Sequence, residues 1–238
     1  MPFNKGDFLL IEYVAKIKDE DRVIETTIAE EAKKAGIYNE NERYEPRLLI
    51  LGEGWLLKSL EDEIAQMNEG EEKTVELPPE KAFGQRDPSK IKVIPARELV
   101  RRRIRPVLGA QVEINGKIGL IRSIGSGRVV IDFNHPLAGR TLLYKIKVVK
   151  KLESTEDKIK ALIHNRLPSI DIEGFKVNIK NNEAIVFIPA EALNITGLQV
   201  FKRALAMDIK KYLPSIKLLR FIEEISLEET KEVQQEQR

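Results

Sequence analysis

One segment of the chain has a clear helical signature and lies among segments that alternate as strands do. Its apolar side chains recur three and four residues apart, at Leu56, Leu57, Leu60, Ile64 and Met67. This spacing places them on one buried face of a helix over Leu56–Met67, which Gly70 ends. The acidic run Glu61-Asp62-Glu63 is then expected on the opposite, solvated face. A helix buried on one face among strands predicts an α+β fold.

The strand candidates lie on both sides of this helix. They are the apolar or alternating runs Phe8–Lys18, Arg22–Thr27, Arg47–Leu51, Glu72–Leu77 and Leu142–Leu152. A second, short helix is predicted over Ile28–Ile37, because this stretch holds good helix formers and Gly36 closes it.

The charge distribution divides the chain into units. Residues 1–87 hold 12 Lys and Arg against 21 Asp and Glu, whereas residues 88–135 hold 10 against 3. The net charge thus changes from −9 to +7, which predicts a domain boundary near residue 88. A second boundary is expected at residues 153–155, where Ser154 can cap a new helix.

The two later units have different patterns. Residues 88–133 read as a small β unit of about three strands, Gln111–Ile114, Lys117–Ile124 and Arg128–Phe133, with a short helix or turn at Pro95–Leu99. From Ser154 onward the order reads α-β-β-α-β, with the last strand at Ile216–Ile225. The polar end, Glu228–Arg238, has too little apolar surface to fold and is predicted to be disordered.

Several functional classes are excluded by what the sequence lacks. There is no cysteine, so disulfides, thiolate metal sites and cysteine nucleophiles are ruled out. The two histidines, His135 and His164, are isolated, and no phosphate-binding, dinucleotide or hydrolase motif is present. No cofactor or metal is therefore expected. The chain has neither an apolar secretory leader nor a run long enough to span a bilayer, so the expected location is the cytoplasm.

Three segments resemble the FKBP-type peptidyl-prolyl cis-trans isomerases. The first is Tyr13 followed by Val23-Ile24-Glu25-Thr26-Thr27, the second is Leu51–Gly70 (LGEGWLLKSLEDEIAQMNEG), and the third is Pro79–Gly84 (PEKAFG). About 50 residues then intervene before Asn134–Tyr144 (NHPLAGRTLLY), which is similar to the SlyD-like branch with its insert-in-flap domain. The resemblance covers residues 3–152, and the added C-terminal segment resembles that of the long archaeal members.

The resemblance implies a fold and a domain plan. The fold class is α+β, with an FKBP-like antiparallel half-barrel around one helix, an inserted small β domain and a C-terminal α-β-β-α-β domain. The isomerase domain would be residues 1–87 and 134–152, the insert residues 88–133, and the C-terminal domain residues 153–238.

The resemblance also implies the site. The proline pocket would be formed by Tyr13, Ile24, Glu25, Leu56, Leu57, Leu60, Phe83, Leu137, Ala138 and Tyr144, hereafter the pocket residues. Leu60 would be the floor, the backbone N–H of Leu57 would hold a substrate carbonyl, and Leu137 and Ala138 would border the pocket from the flap. Glu25 stands where the family usually has Asp, Leu60 where the small members have Trp, and Phe83 where they have Tyr. The metal-binding tail of the bacterial relatives is absent.

The chemistry of such an enzyme agrees with these residues. Rotation of an X–Pro bond has a barrier of roughly 20 kcal/mol and changes no covalent bond, so no nucleophile is needed. The twisted amide is less polar than the planar one, and an apolar pocket therefore favours it. The expected function is proline isomerisation in unfolded or partly folded proteins together with chaperone activity. The alternative is a chaperone that holds unfolded chains and has an inactive isomerase site.

The expected partners are unfolded, proline-containing polypeptides. The basic insert can pair extended peptides along its sheet edges. Nucleic-acid binding by Arg101–Arg105 is a weaker alternative because Phe133 is the one aromatic residue nearby, and a plain solvated face is a third. A homodimer through Ser154–Ile225 is also expected: the adjacent pairs Leu218-Leu219 and Phe221-Ile222 point to opposite faces of one strand, so both faces need cover. The similarity to the long archaeal members, in which this domain mediates dimerisation, points to the same assembly.

Overall fold

A computed structural model describes residues 2–224 of the chain. The segment Glu228–Arg238, predicted to be disordered, lies outside the described residues. Within them, the strands are β1 (Phe8–Ile17), β2 (Arg22–Thr26), β3 (Arg47–Ile50), β4 (Glu72–Leu77), β5 (Ile91–Pro95), β6 (Gln111–Ile114), β7 (Lys117–Gly125), β8 (Arg128–Asp132), β9 (Leu142–Leu152), β10 (Lys176–Lys180), β11 (Glu183–Ile188) and β12 (Leu218–Glu223). The α-helices are α1 (Ala29–Lys34), α2 (Lys58–Ile64), α3 (Ala96–Arg101), α4 (Thr155–Arg166), α5 (Ala190–Leu193) and α6 (Leu198–Tyr212).

The first sheet is the one on which α2 packs, as the α+β prediction requires. Along one edge, strand β1 pairs with β3 through its first residues and with β2 through its last residues. Along its other edge β1 pairs with β9, and β9 pairs with β4. All these pairs are antiparallel. Residues of one face of β1 and β9 pack against Leu60, Ile64 and Met67 in a single apolar cluster. The apolar face of the helix that the sequence predicted therefore packs against one face of this sheet.

The other face of β1 serves a different core. Phe8 is buried and Leu10 is half-buried, and both pack with Ile50 and Leu152 against the C-terminal domain. Because side chains alternate along a strand, one strand contributes to two cores. The first sheet and the C-terminal domain thus share one continuous apolar interface. The dimer argument from the sequence treated the C-terminal unit in isolation, whereas in the structure residues of the first sheet cover part of that unit.

The insert is a four-stranded antiparallel sheet in the order β5-β8-β7-β6, with α3 packed on one face. The prediction of about three strands was wrong because Ile91–Pro95, which alternates weakly and ends in proline, was not recognised as a strand. Gly119 has no room for a side chain: a Cβ there would lie 2.6 Å from Ile131 Cγ2 and 2.8 Å from the Phe133 ring. Glycine at this position lets Phe133 close the end of the insert core.

The C-terminal domain has the predicted α-β-β-α-β order, with α5 as a short addition before α6. Its sheet is β10-β11-β12, in which β11 and β12 run parallel because α5 and α6 connect them. The predicted cap at Ser154 is confirmed, since its Oγ accepts the backbone N–H of Asp157 at 3.0 Å. Helices α4 and α6 cover one face of the sheet.

Two helices are shorter than the sequence predicted. The helix expected over Ile28–Ile37 is limited to Ala29–Lys34, and the one expected over Leu56–Met67 is limited to Lys58–Ile64. Leu57 has an extended backbone with ψ 133°, so Leu56 and Leu57 lie in the loop before α2. Within residues 2–224, no helix combines the length and the apolar character needed to cross a membrane.

Candidate functional site

Tyr13 is held by its backbone at the centre of the first sheet. Its carbonyl oxygen accepts the N–H of Thr27 at 3.0 Å and the hydroxyl of Thr26 at 3.0 Å, and its own N–H donates to Thr27 Oγ1 at 2.9 Å. Both threonines are buried. The Thr-Thr pair of the sequence motif therefore fixes the strand that carries Tyr13, where β2 ends and the chain turns towards α1.

The Tyr13 hydroxyl belongs to a three-residue polar cluster. It donates to Glu25 Oε1 at 2.6 Å, and Arg47 Nη1 donates to the hydroxyl at 2.9 Å and to the same carboxylate oxygen at 2.5 Å. Burial raises the pKa of Tyr13, and the hydrogen bond to Glu25 and its negative charge raise it further. The phenol thus stays protonated, and its ring is oriented by two charged partners at the rim.

The floor of the site is apolar and closed. Leu60 on α2 is 1% exposed and lies in the same cluster as Tyr13 and Tyr144. The Tyr13 and Tyr144 rings are 6.2 Å apart between centroids and tilted by 45°. Burial raises the pKa of Tyr144 as well, with a further contribution from the charge of Glu25. The two tyrosines and Leu60 are therefore buried together in one apolar cluster.

The loop Gly52–Leu57, hereafter the pocket loop, is fixed by Glu61. This carboxylate is buried, and it accepts the N–H of Gly52 at 2.8 Å and that of Leu56 at 3.0 Å. The prediction that Glu61 lies on a solvated face was wrong, because two backbone N–H groups of the loop need acceptors and the Glu61 carboxylate supplies them. Leu57 precedes α2, so its N–H is not part of the hydrogen-bond ladder of the helix.

The flap side joins segments from before and after the insert. The Phe83 ring stacks on the His135 ring with centroids 4.0 Å apart. Phe83 and Leu137 are half-buried against the first core cluster. Ala138 is buried and its N–H donates to the His135 carbonyl at 2.9 Å, although it is not part of that cluster.

Eight of the ten pocket residues therefore meet in or against one apolar cluster: Tyr13, Ile24, Leu56, Leu57, Leu60, Phe83, Leu137 and Tyr144. Glu25 joins them through Tyr13, and Ala138 lies beside them on the flap. Sequence reasoning missed Arg47, Glu61 and His135. A charged residue inside an apolar strand was the one available signal for Arg47, and a histidine within the NHPLAG segment was the signal for His135.

The base of the insert is held by a compact polar network. Asn134 donates through Nδ2 to the Asp87 carbonyl, and the Asp87 N–H donates to Asn134 Oδ1, both at 2.9 Å. The buried Asp132 carboxylate accepts the N–H of Asn134 at 3.0 Å and its Nδ2 at 2.8 Å, and it pairs with Arg86 and Arg122. The two chain crossings between the domains are thus tied side by side.

Nothing in the described part of the chain groups three or more histidine, aspartate or glutamate side chains as a metal site. The arrangement that is present is an apolar cluster of side chains, beside which Glu25 and Arg47 form an ion pair.

Comparison with known protein families gives three matches along the chain. Residues 2–101 match the family described as FKBP-type peptidyl-prolyl cis-trans isomerase. Residues 92–137 match the family described as the FKBP26 IF domain, and residues 155–226 match the one described as FKBP26 C-terminal.

Curated relatives agree with this. A protein of Methanocaldococcus jannaschii named short-type peptidyl-prolyl cis-trans isomerase is 38% identical over 144 residues, which is 60% of this chain and 90% of the relative. The FKBP-type 16 kDa peptidyl-prolyl cis-trans isomerase of Escherichia coli is 29% identical over 60% of this chain and 89% of its own length. The isomerase named SlyD of Helicobacter pylori is 27% identical over 66% and 78%.

The half-barrel, its inserted sheet and these matches define a class of enzyme, the peptidyl-prolyl cis-trans isomerases. Within that class, the chain belongs to the FKBP-type family, with an insert and a C-terminal domain of the FKBP26 kind.

Proposed function

We propose that the pocket residues form the site at which this isomerase binds proline and rotates the X–Pro bond. The observation that carries the proposal is convergence: residues spread from position 13 to position 144 meet around Leu60, and nearly all of them are apolar. Convergence of this kind supports a binding concavity more strongly than it supports an ordinary core, because Leu56, Leu57 and Phe83 remain half-exposed.

The proposed mechanism uses differences in polarity. The proline ring rests on Leu60 between Tyr13 and Phe83, and the N–H of Leu57 holds the carbonyl that precedes the rotating bond. During rotation the amide loses resonance and polarity, so an environment poor in water favours the twisted state. Each 1.36 kcal/mol of this preference is worth about tenfold in rate. The hydrogen bonds among Tyr13, Glu25 and Arg47 hold the Tyr13 ring in one orientation during this step.

The direct test is the refolding of a protein that is limited by a proline isomerisation. Catalytic amounts of the full chain should accelerate the slow phase in proportion to enzyme concentration, and the fast phases should not change. A slow phase that does not respond would leave only the alternative of a chaperone with an inactive site.

We infer that the insert supplies chaperone activity, and its surface supports this. Of the large apolar side chains that are exposed in residues 2–224, six belong to the insert, namely Val93, Val100, Val107, Leu108, Ile118 and Ile124. Val93 and Ile118 each precede an inward-facing residue, so they lie on the sheet face opposite the insert core. Among residues 2–224, β5 and β6 are the outer strands of this sheet, so an extended chain can pair along their edges.

Unfolded polypeptide is a better proposed partner for the insert than nucleic acid. In the basic run, Arg102 donates to Asn115 at 2.9 Å and pairs with Glu98 at 3.1 Å. Part of that charge is therefore already engaged within the insert. Phe133 is the one aromatic residue within residues 88–133, so the basic run has no stacking surface of several rings beside it. Exposed apolar side chains, by contrast, are what an unfolded chain recognises.

We also propose that two copies associate through the C-terminal domain. The face of its sheet away from α4 and α6 carries Ile185, Phe187, Leu218 and Ile222, of which Leu218 is 45% exposed. These four side chains, hereafter the apolar stripe, cross β11 and β12 and share this face with the ion-paired Glu183 and Arg220. A second copy of the same face would cover it with two-fold symmetry.

A further inference from the structure

The C-terminal domain contacts the pocket loop directly. The Tyr212 ring, at the end of α6, meets the Trp55 ring edge-on, with centroids 6.4 Å apart and planes at 75°. Beside it, Lys211 Nζ lies 2.6 Å from Glu53 Oε2. Trp55 and Glu53 both belong to the loop whose next residues are Leu56 and Leu57.

Tyr212 is itself firmly placed. Its ring packs edge-on against Phe8 at 6.3 Å and 88°, and Phe8 is 1% exposed in the interface between the two domains. Trp55, in turn, is half-buried against both the C-terminal cluster and the isomerase cluster. The contact between Tyr212 and Trp55 therefore links the rigid interface to the edge of the pocket.

The pocket loop needs such support from outside. Gly52 and Gly54, on either side of Glu53, have φ of +81° and +73°. Because glycine has access to more backbone conformations than other residues, this half of the loop is not fixed by its own backbone. Glu61 fixes the N–H groups of Gly52 and Leu56 from within. Between those two points, the side chains of Glu53 and Trp55 are held by the C-terminal domain.

We propose that Tyr212 and Lys211 are positioning residues of the isomerase, through which the C-terminal domain sets the conformation of the pocket loop. They do not touch substrate. They act through Trp55 and Glu53 on the direction of the Leu57 N–H and on the side chain of Leu56. This inference rests on the proposed pocket, and small displacements of a group that orients substrate have large effects on rate.

The two contacts should contribute unequally. The hydrogen bond from Lys211 holds the pKa of Glu53 below its ordinary value, so the pair is charged at neutral pH. Lys211 is largely exposed, however, and salt screens such a pair. The ring contact is apolar and does not depend on salt. At high salt, Tyr212 should therefore carry most of the coupling.

The main experiment compares three variants of the full chain on a short X–Pro peptide. Tyr212→Ala should lower kcat/KM by about three- to tenfold, because the lost ring contact frees the loop. Tyr212→Phe, which keeps the ring, should restore most of the rate. Met207→Ala is the matched control, since Met207 is on the same helix and 72% exposed.

The single tryptophan of the chain reports the loop at the same time. Trp55 emission should move to longer wavelength in Tyr212→Ala and stay unchanged in Met207→Ala. A shifted emission with unchanged kinetics would overturn the proposal, because the loop would then move without consequence for the pocket. Unchanged emission and kinetics would overturn it as well.

A charge exchange at the surface tests the second contact without disturbing the core. Glu53→Lys and Lys211→Glu should each lower kcat/KM by about twofold at low salt, and the double variant should recover it. A double variant no better than the singles would exclude the ion pair. Phe83→Ala distinguishes a failure of the proposed pocket from a failure of the positioning role. If Phe83→Ala leaves the rate unchanged, the pocket is misassigned. If Phe83→Ala is slow and Tyr212→Ala has the wild-type rate, only the positioning role is excluded.

Discussion

The rings of Phe83 and His135 lie face to face, 4.0 Å apart and 6° from parallel. Phe83 comes before the insert in the chain and His135 comes directly after it. One wall of the proposed pocket is therefore built from both crossings between the isomerase domain and the insert. This geometry couples the shape of the pocket to the attachment of the insert, and it can be tested at each partner.

His135→Ala removes the outer half of this stack. We expect kcat/KM for a short X–Pro peptide to fall by about two- to tenfold, because a ring contact of this kind is worth roughly 0.5–1.5 kcal/mol. His135→Phe keeps a flat ring and should retain the rate. Equal rates for the alanine and phenylalanine variants would show that the stack does not support the wall.

Phe83→Ala tests the pocket itself. Phe83 is only half-buried, so its loss should cut isomerisation of a short X–Pro peptide about tenfold or more while the protein stays folded, as circular dichroism can verify. Tyr13→Ala should also cut the rate, but Tyr13 is 4% exposed and its truncation costs about 3–5 kcal/mol of stability. Wild-type rates in both variants would refute the assignment.

Removal of the insert should separate the two proposed activities. The hydrogen bonds between Asp87 and Asn134 place the chain ends side by side, so residues 88–133 can be replaced by a short turn. The shortened protein should still isomerise short peptides, but it should lose suppression of aggregation and act slowly on unfolded proteins.

A point variant makes the same test without deletion. Ile118→Lys places a charge on the exposed face of the insert, and Val200→Lys places one on a similarly exposed site of the C-terminal domain. Only the first should weaken suppression of aggregation. Full chaperone activity in Ile118→Lys and in the shortened protein would contradict the proposed role of the insert.

The network at the base of the insert predicts a dependence on pH. Burial alone would raise the pKa of Asp132, but hydrogen bonds from Asn134 and the charges of Arg86 and Arg122 outweigh it and hold the pKa below its ordinary value. The unfolded chain therefore binds a proton more readily than the folded one. The stabilisation is complete above a pH of about 4 and is lost as the pH falls through the lower, folded value.

Asp132→Asn measures this contribution. Urea unfolding should show a loss of about 1–3 kcal/mol at neutral pH, because buried hydrogen bonds to a charged group are broken. Between about pH 4 and pH 2 the variant should lose less stability than the wild type. Asp62→Asn, at an exposed position of α2, is the control. Parallel pH curves for Asp132→Asn and the wild type would exclude Asp132 as the source.

The spacing of apolar residues predicted the helices and strands well. It could not predict contacts between segments that are distant in the chain. The face of α2 formed by Leu60, Ile64 and Met67 follows from helical spacing alone. The burial of Glu61 does not, because its partners are backbone N–H groups of a loop, and backbone groups leave no trace in the choice of residue. The contact between Trp55 and Tyr212 depends on how two domains dock, 157 positions apart in the chain.

The sequence motifs predicted more residues of the proposed site than the spacing of apolar residues could. The order of Tyr13, Glu25 and the two threonines is explained by the bonds they make, since Glu25 holds the phenol and the threonines hold the strand. Arg47 was missed because it stands alone in an apolar strand, outside the short motifs that carried the family resemblance. Its role follows from β3 lying next to β2 along β1, which is a property of the sheet order.

The last prediction concerns the apolar stripe on the outer face of the C-terminal sheet. If two copies pair there, light scattering at tens of micromolar should give twice the chain mass of 27.2 kDa. Phe187→Lys should give the monomer mass, because pairing of the two stripes would bury an unpaired lysine from each copy. Val200→Lys adds the same charge at a site 72% exposed, away from the stripe, and should remain dimeric. Since Phe8, Ile50 and Leu152 already cover the inner side of this domain, its fold should survive the loss of the dimer, and peptide isomerisation by Phe187→Lys should match the wild type. A wild-type chain that is monomeric at these concentrations would end the proposal.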